Sequence, residues 1–211
     1  MRHEAVIFDL GGVVFPSPIE AIRTYEAEHD LPRGFLSEAM LADPERSAWS
    51  RLERGELTLS AFVPEFEAEC ASAGHQVDGA ALMERITDGL EPRPEMVTAI
   101  ITLRDSGFGV AALTNNWVDD SDAEGDGPAG LGDVFDIVVE SARLGVRKPD
   151  PRIYEHACAQ LAVVPSACVF LDDIGANLKP ARAMGMTTIK VRDPALALAE
   201  LEAVLDVSLR R

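Results

Sequence analysis

The stretch Ala5-Val-Ile-Phe-Asp9-Leu-Gly11-Gly12-Val-Val14 decides the fold of this chain. Its short apolar run predicts a strand that is buried on both faces, as in a parallel sheet. Asp9 then stands at the carboxyl end of that strand, where open α/β sheets place their chemistry. The two glycines that follow allow the backbone to approach whatever the carboxylate holds. A strand followed by a capped turn fits this segment equally well, so the rest of the chain has to decide.

Further apolar segments downstream predict four more strands with helices between them. The strand segments are Gly109–Leu113, Phe135–Val139, Cys168–Leu171 and Thr187–Val191. Asp150-Pro151 and Asp193-Pro194 each place an N-cap residue before a proline, which is typical of the first turn of a helix. The alternation of strand and helix predicts an α/β fold: a parallel sheet of five or more strands with helices on both faces.

Residues 16–91 show a different pattern, with apolar side chains at helical spacing and no alternation typical of a strand. Thr58 and Ser60 are candidate N-caps within this segment. We interpret the segment as a small helical bundle inserted directly after the first strand. The predicted division is a core domain of residues 1–15 and 92–211, with residues 16–91 as a helical cap domain.

The composition combines ordinary hydrophobicity with a large excess of acidic residues. The 211 residues include 36 Asp and Glu against 19 Lys and Arg, which gives a formal net charge of −17. Such a charge disfavours nucleic acids and anionic membranes as partners. No apolar run approaches the roughly 20 residues that span a bilayer. The chain enters its first strand directly after Met1-Arg-His-Glu4, without a signal peptide, which predicts a cytoplasmic protein. The sequence leaves the oligomeric state open between a monomer and a homodimer.

An acidic, glycine-rich loop over residues 119–132 imitates the start of a calcium-binding loop. Asp120, Asp122 and Glu124 have suitable spacing, but the twelfth position is Leu131 where such loops carry glutamate. We therefore interpret it as a solvated loop.

Polar residues stand where three of the predicted strands end, and these are Asp9, the pair Thr114-Asn115 and the pair Asp172-Asp173. Because parallel strands end at one edge of the sheet, we expect these side chains to share a crevice with Lys148. Clustered carboxylates are costly to bury without a partner. Mg²⁺ prefers such oxygen ligands, and a phosphate would complete the charge balance through Lys148 and Thr114. The sequence thus predicts a site for Mg²⁺ and a phosphate group.

Four motifs in order resemble those of the haloacid dehalogenase (HAD) superfamily of aspartate-nucleophile phosphohydrolases. They are Phe8-Asp9-Leu-Gly-Gly-Val13, Leu113-Thr114-Asn115, Arg147-Lys148-Pro-Asp-Pro-Arg-Ile-Tyr154 and Phe170-Leu-Asp-Asp-Ile-Gly-Ala-Asn177. The last motif resembles in particular the N-terminal phosphatase domain of soluble epoxide hydrolases and the related domain of acyl-CoA dehydrogenase fusion proteins. The resemblance implies a Rossmann-like core with a helical cap. The domain that opens epoxides is not among these motifs, so epoxide hydrolysis is not expected.

The resemblance also implies a role for each residue at the metal and the nucleophile. Asp9 would attack phosphorus and become an aspartyl phosphate that water hydrolyses. Mg²⁺ would be held by the Asp9 carboxylate, the backbone carbonyl of Gly11 and the carboxylate of Asp173. Asp172 would support the water shell of the metal or the ammonium of Lys148.

The remaining motif residues would handle the phosphoryl group. Thr114 and Asn115 would bind it, and Lys148 would neutralise its charge and that of Asp9. Asn177 would either orient a motif loop or serve the start of a helix.

One position departs from the pattern of the family. Most of its phosphatases carry a second aspartate, the general acid and base, where this chain has Gly11. General acid–base catalysis is typically worth about 10²–10⁴-fold. We hypothesise that Gly11 narrows activity toward phosphates with good leaving groups, or lets the aspartyl phosphate persist. The alternatives are a non-catalytic HAD domain that binds a phosphate ligand or a protein partner, and a haloacid dehalogenase, which the Asp172-Asp173 pair argues against.

Overall fold

The fold of this protein, seen in a computed structural model that describes residues 3–88, 90–118 and 131–209, is built on one parallel sheet. Its strands are β1 (Ala5–Phe8), β2 (Gly109–Thr114), β3 (Ile137–Glu140), β4 (Cys168–Asp172) and β5 (Thr187–Lys190). Their order is β3-β2-β1-β4-β5, and every neighbouring pair is parallel. The predicted parallel α/β sheet is therefore confirmed, and the first strand of the chain lies at its centre.

Ten α-helices surround or extend this sheet in the described residues. The first five are α1 (Pro18–Glu28), α2 (Phe35–Leu41), α3 (Ala48–Glu53), α4 (Leu59–Ser72) and α5 (Gly79–Thr87). The others are α6 (Pro94–Asp105), α7 (Ser141–Leu144), α8 (Pro151–Gln160), α9 (Gly175–Ala183) and α10 (Pro194–Leu205). None of the described helices is long and apolar enough to cross a membrane.

Side chains alternate between the two faces of the buried strands, and each face packs on its own pair of helices. Val6 and Phe8 of β1 point into a cluster with α6 and α10, whereas Ala5 and Ile7 point into a cluster with α8 and α9. Because both faces are covered, the strands are continuous apolar runs, as in other parallel sheets. The helices on both faces were predicted from the alternation of strand and helix segments in the sequence.

The helices α1–α5, called the helical unit below, have a hydrophobic cluster of their own. Its large buried side chains include Leu36, Leu52, Phe62, Phe66 and Leu82. The unit leaves the sheet after β1 and returns before α6. The backbone N–H of Arg93 donates to the carbonyl of Val14 at 2.8 Å, so the two connecting segments run side by side.

Several predicted boundaries change in the structure. β3 begins at Ile137 and not at Phe135, because the carboxylate of Asp136 accepts a hydrogen bond from the backbone of Val110 at 2.8 Å. Thr58 caps α4, whereas Ser60, the other candidate, lies inside the helix. The short helix α7 was not predicted. The acidic segment 119–130, with its calcium-like spacing, lies outside the described residues.

Candidate active site

Asp9 lies directly beyond β1, at the centre of the carboxyl edge of the sheet. Its backbone N–H donates to the carbonyl of Leu171 at 2.9 Å, so the neighbouring strand β4 fixes its main chain. Its Oδ1 accepts from the backbone N–H of Leu10 at 2.7 Å and contacts Lys148 Nζ at 2.7 Å. The side chain is buried, and both partners favour an ionised carboxylate with a fixed orientation.

Lys148 is a buried ammonium that joins three strand ends. Its Nζ donates to Asp172 Oδ2 at 2.9 Å and to the carbonyl of Leu113 at 2.9 Å, besides its contact with Asp9. Burial alone would lower its pKa, but the charges of Asp9 and Asp172 outweigh burial and raise the pKa above its ordinary value. Lys148 therefore stays charged at neutral pH and holds the nucleophile candidate in place.

The adjacent aspartates of the last motif have different environments. Asp172 has no exposed surface, and its carboxylate accepts from the backbone N–H of Ile174 at 2.7 Å and from Asn177 Nδ2 at 3.0 and 3.2 Å. The carbonyl of Asn177 in turn accepts from the Tyr154 hydroxyl at 2.8 Å. Asp172 is thus held on both oxygens, with Lys148 as its charged partner.

Asp173 is only partly buried and is held much more loosely. Its Oδ2 accepts a hydrogen bond of 3.2 Å from the hydroxyl of Ser17, the residue before α1. The backbone of Gly12 passes so close to this carboxylate that a Cβ there would overlap Asp173, and Gly12 has a φ of +78°. A glycine is therefore required at position 12 both for its conformation and for the space that it leaves.

The three aspartates form a cluster of negative charge with one lysine. One carboxylate oxygen from each of Asp9, Asp172 and Asp173 lies within 4.8 Å of the others. Burial raises the pKa of Asp9 well above its ordinary value, and Asp172 and Asp173 raise it further against the effect of Lys148. Burial, and then Asp172, also raise the pKa of Asp173. The cluster has oxygen donors, close spacing and excess negative charge, which fit a hard divalent cation.

Thr114 is the last residue of β2 and Asn115 follows it, so both lie at the same edge, as predicted from the sequence. Thr114 is buried, and its hydroxyl lies 3.3 Å from the carbonyl of Asn115. The side-chain amide of Asn115 makes two hydrogen bonds to the main chain of Lys148. Its Oδ1 accepts from Lys148 N at 2.8 Å, and its Nδ2 donates to Lys148 O at 3.1 Å. In this arrangement Asn115 holds the main chain of the lysine in position.

Gly11 differs from its neighbour because nothing around it demands a glycine. Its φ and ψ are −66° and 126°, which any residue adopts. A Cβ at this position would make an ordinary contact of 3.5 Å with the ring of Pro18. The absence of a side chain at position 11 is therefore a chemical feature of this chain and not a requirement of its backbone.

Sequence reasoning missed two residues that the helical unit brings to this edge. Ser17 contacts Asp173, and Glu53 of α3 contacts both Arg147, with Oε2 2.6 Å from Nε, and Asn115, with Nδ2 3.4 Å from Oε2. Arg147 stood in a motif, but its partner did not. No spacing pattern links a helix of the insertion to the edge of the sheet, so only the three-dimensional structure shows these contacts.

The chain belongs to the haloacid dehalogenase-like hydrolase family, whose sequence profile matches residues 3–185. It is 38% identical to bifunctional epoxide hydrolase 2 of Sus scrofa, over 99% of this chain and 40% of that protein. It is also 38% identical to acyl-CoA dehydrogenase family member 10 of Mus musculus, over 96% of this chain and 19% of that protein. The chain therefore spans two fifths or less of the length of these two relatives. The resemblance inferred from the motifs is confirmed.

Relatives of similar length extend the comparison. The sesquiterpene phosphatase astK of Aspergillus oryzae is 28% identical over 203 residues, which cover 96% of each chain. Among solved structures, a predicted HAD-like family hydrolase from Porphyromonas gingivalis superposes with a TM-score of 0.69 and 21% identity, covering 99% of this chain and 100% of that one. The structural likeness shows the HAD fold, and the family includes phosphatases among its members.

Proposed function

We propose that this chain is a magnesium-dependent phosphohydrolase that uses Asp9 as nucleophile on a small phosphorylated metabolite. The observation that carries the proposal is the environment of Asp9: its carboxylate contacts a buried lysine and lies within 4.8 Å of two further carboxylates. A phosphoryl group is the substrate that such a lysine and a bound cation would both attract. A relative of equal length named as a phosphatase supports the same class of reaction.

Asp9, the carbonyl of Gly11 and Asp173 would hold the metal ion, with Asp172 and Lys148 beside it. When bound, Mg²⁺ supplies charge stabilisation for the phosphoryl oxygens and for the carboxylates around it. The other groups of the site belong to the chain itself. Asn177 fixes the carboxylate of Asp172, and Asp172 fixes the ammonium of Lys148.

The proposed reaction proceeds in two displacements at phosphorus. An oxygen of Asp9 forms a bond to phosphorus while the bond to the leaving oxygen breaks, which gives an aspartyl phosphate and an alkoxide or phenoxide that takes its proton from solvent water. Water then attacks the same phosphorus atom, releasing inorganic phosphate and restoring the carboxylate. Lys148 and the hydroxyl of Thr114 stabilise the charge on the transferring group in both steps.

Gly11 determines which substrates suit this site. Since position 11 carries no acid, the leaving oxygen has to depart without a proton from that position, which favours leaving groups of low pKa. The substitution Gly11→Asp tests this directly, because the backbone and the space at position 11 accept a side chain. We expect it to accelerate hydrolysis of alkyl phosphates by about 10²-fold and to change aryl phosphates much less. Gly11→Ala is the control. Equal changes in the hydrolysis rates of alkyl and aryl phosphates in Gly11→Asp would contradict this specificity.

The proposed function itself is tested with p-nitrophenyl phosphate, with and without Mg²⁺. We expect hydrolysis that requires the metal and falls by roughly four orders of magnitude or more in Asp9→Asn, since the nucleophile is removed. Binding of Mg²⁺ without turnover of any phosphate ester would instead support the non-catalytic alternative. Metal-independent release of halide from 2-haloacids would support dehalogenation.

A further inference from the structure

A second polar cluster joins the helical unit to the sheet edge beside the candidate active site. Its members are Ser50 and Glu53 of α3, Asn115 after β2, and Arg147, the residue before Lys148. Arg147 Nε lies 2.6 Å from Glu53 Oε2, and Arg147 Nη1 donates to the Ser50 hydroxyl at 2.7 Å. A single arginine of the core thus contacts two side chains on one helix of the inserted unit.

This ion pair between the core and the helical unit is less exposed than the charged pairs described within the unit. The side chains of Glu53 and Arg147 are 9% and 15% exposed, whereas those of Arg51 and Glu65, a pair within the unit, are 33% and 43% exposed. Burial raises the pKa of Glu53, and the charge of Arg147 opposes that rise. Neither charge is well solvated where it stands, so each depends on the other while the helical unit is docked.

Two routes lead from Glu53 to the lysine that contacts the nucleophile. One is covalent, because Arg147 immediately precedes Lys148 in the chain. The other passes through Asn115, whose Nδ2 lies 3.4 Å from Glu53 Oε2 and also donates to the carbonyl of Lys148 at 3.1 Å. Lys148 Nζ then contacts Asp9 at 2.7 Å. A displacement of α3 is therefore transmitted to the main chain on both sides of the Lys148 peptide.

Two further contacts show that α3 is seated closely on the core. Gly55, just after α3, has a φ of +67°, and a Cβ there would overlap the carbonyl of Ala142 in α7. The rings of Trp49 in α3 and Trp117 after β2 meet edge to face, with centroids 6.1 Å apart. The chain contains two tryptophans, and both take part in this contact between the helical unit and the core.

We propose that Glu53 is a positioning residue: through Arg147 and Asn115, the docked helical unit sets Lys148 in place for phosphoryl transfer. Turnover then depends on how the unit is seated as well as on the groups at the sheet edge. This inference rests on the proposed phosphohydrolase function. It assigns to Glu53 no contact with the substrate; its effect is exerted through the main chain that carries Lys148.

The test is a double-mutant cycle on the ion pair, with Glu53→Gln, Arg147→Gln and the double variant. We expect each single variant to lower kcat for p-nitrophenyl phosphate by about 10- to 100-fold, as small displacements of catalytic groups do, with KM changed much less. Because the two residues act as a unit, the double variant should be no slower than the slower single variant. Arg51→Gln removes a charged pair on the same helix but inside the unit, and it should leave kcat unchanged.

A spectroscopic readout separates this role from plain destabilisation without using activity. Arg147→Gln should weaken the near-ultraviolet circular dichroism of the Trp49–Trp117 pair while the far-ultraviolet spectrum stays native. Arg51→Gln should leave the tryptophan signal intact. Spectra taken below the melting transition of each variant ensure that folded proteins are compared.

The outcomes separate the two proposals. If the unaltered protein hydrolyses p-nitrophenyl phosphate and both single variants keep its kcat, the positioning role of Glu53 is refuted and the proposed function stands. If the unaltered protein shows no metal-dependent hydrolysis, the proposed function fails. In that case an unchanged tryptophan signal in Arg147→Gln overturns the docking role as well, and a weakened signal supports it.

Discussion

The sheet edge and the helical unit supply polar groups to the same site in different ways. At the edge, Asp9 follows β1 and Asp172 ends the neighbouring strand β4, and both carboxylates are buried. Asp172 accepts hydrogen bonds on both oxygens, and Asp9 accepts on Oδ1. From the helical unit and the residue that leads into it, Glu53 and Ser17 reach the site through one or two side-chain contacts each. The rigid sheet thus fixes the reacting groups, while the unit adds contacts that are lost whenever it moves.

The largest effect on stability is expected at the centre of the edge. Lys148→Met would leave Asp9 and Asp172 buried without their cation, which costs about 3–5 kcal/mol of the free energy of unfolding. Urea denaturation at neutral pH measures this loss, and added Mg²⁺ should recover part of it. The control is Lys179→Met on the exposed face of α9, which should stay within about 0.5 kcal/mol. Equal stabilities for the two variants would show that the Lys148 contacts contribute nothing to the fold.

The next effect concerns the two glycines, which the sequence presents as equivalent. Gly12→Ala would drive a Cβ into the carboxylate of Asp173, so we expect Mg²⁺ affinity to fall by about 10- to 100-fold. Gly11 has ordinary backbone angles, and an added Cβ would only make a van der Waals contact with Pro18. Gly11→Ala should therefore change the Mg²⁺ affinity by no more than about twofold. Isothermal titration with Mg²⁺ compares them, and similar affinities in both variants would mean that Asp173 is not a metal ligand.

The smallest effect is expected in the helical unit, at the cap of one of its helices. Thr58 Oγ1 accepts from the backbone N–H of Ala61 at 3.3 Å and caps α4, so Thr58→Ala should cost about 1 kcal/mol of the free energy of unfolding. Ser60→Ala, a change of the same kind inside the helix, should cost less. Neither should alter Mg²⁺ affinity, because α4 contributes none of the three aspartates of the candidate metal site. A loss of Mg²⁺ binding in Thr58→Ala would contradict the separation of the metal site at the sheet edge from the stability of the helical unit.

The difference between the regions also explains what could be predicted from the sequence. The strands and Asp9, Lys148 and Asp172 lie in short motifs, because a buried strand and the turn after it are local features. Even so, the motif did not reveal that Asp172 is saturated by hydrogen bonds while its neighbour Asp173 has a loose one, because that depends on Asn177 and on Ser17 from a distant segment.

The contacts of the helical unit were beyond sequence reasoning for a physical reason. Glu53 and its partner Arg147 are 94 residues apart in the sequence. Helical periodicity shows which side chains face the core of the unit, but it carries no information on how the unit is seated against the sheet. The start of β3 was missed for a similar reason, since the side chain of Asp136 binds the main chain of Val110 in another strand.

The proposed reaction requires carboxylates from separate strand ends to share one divalent cation, so that Asp9 can attack phosphorus. Calorimetric titration of the unaltered protein and of Asp173→Asn with Mg²⁺ tests it most directly, with the exposed Asp133→Asn as control. We predict one ion per chain in the unaltered protein and in the control, and an affinity at least about tenfold weaker in Asp173→Asn. No bound ion, or the same affinity in all three proteins, would contradict the claim.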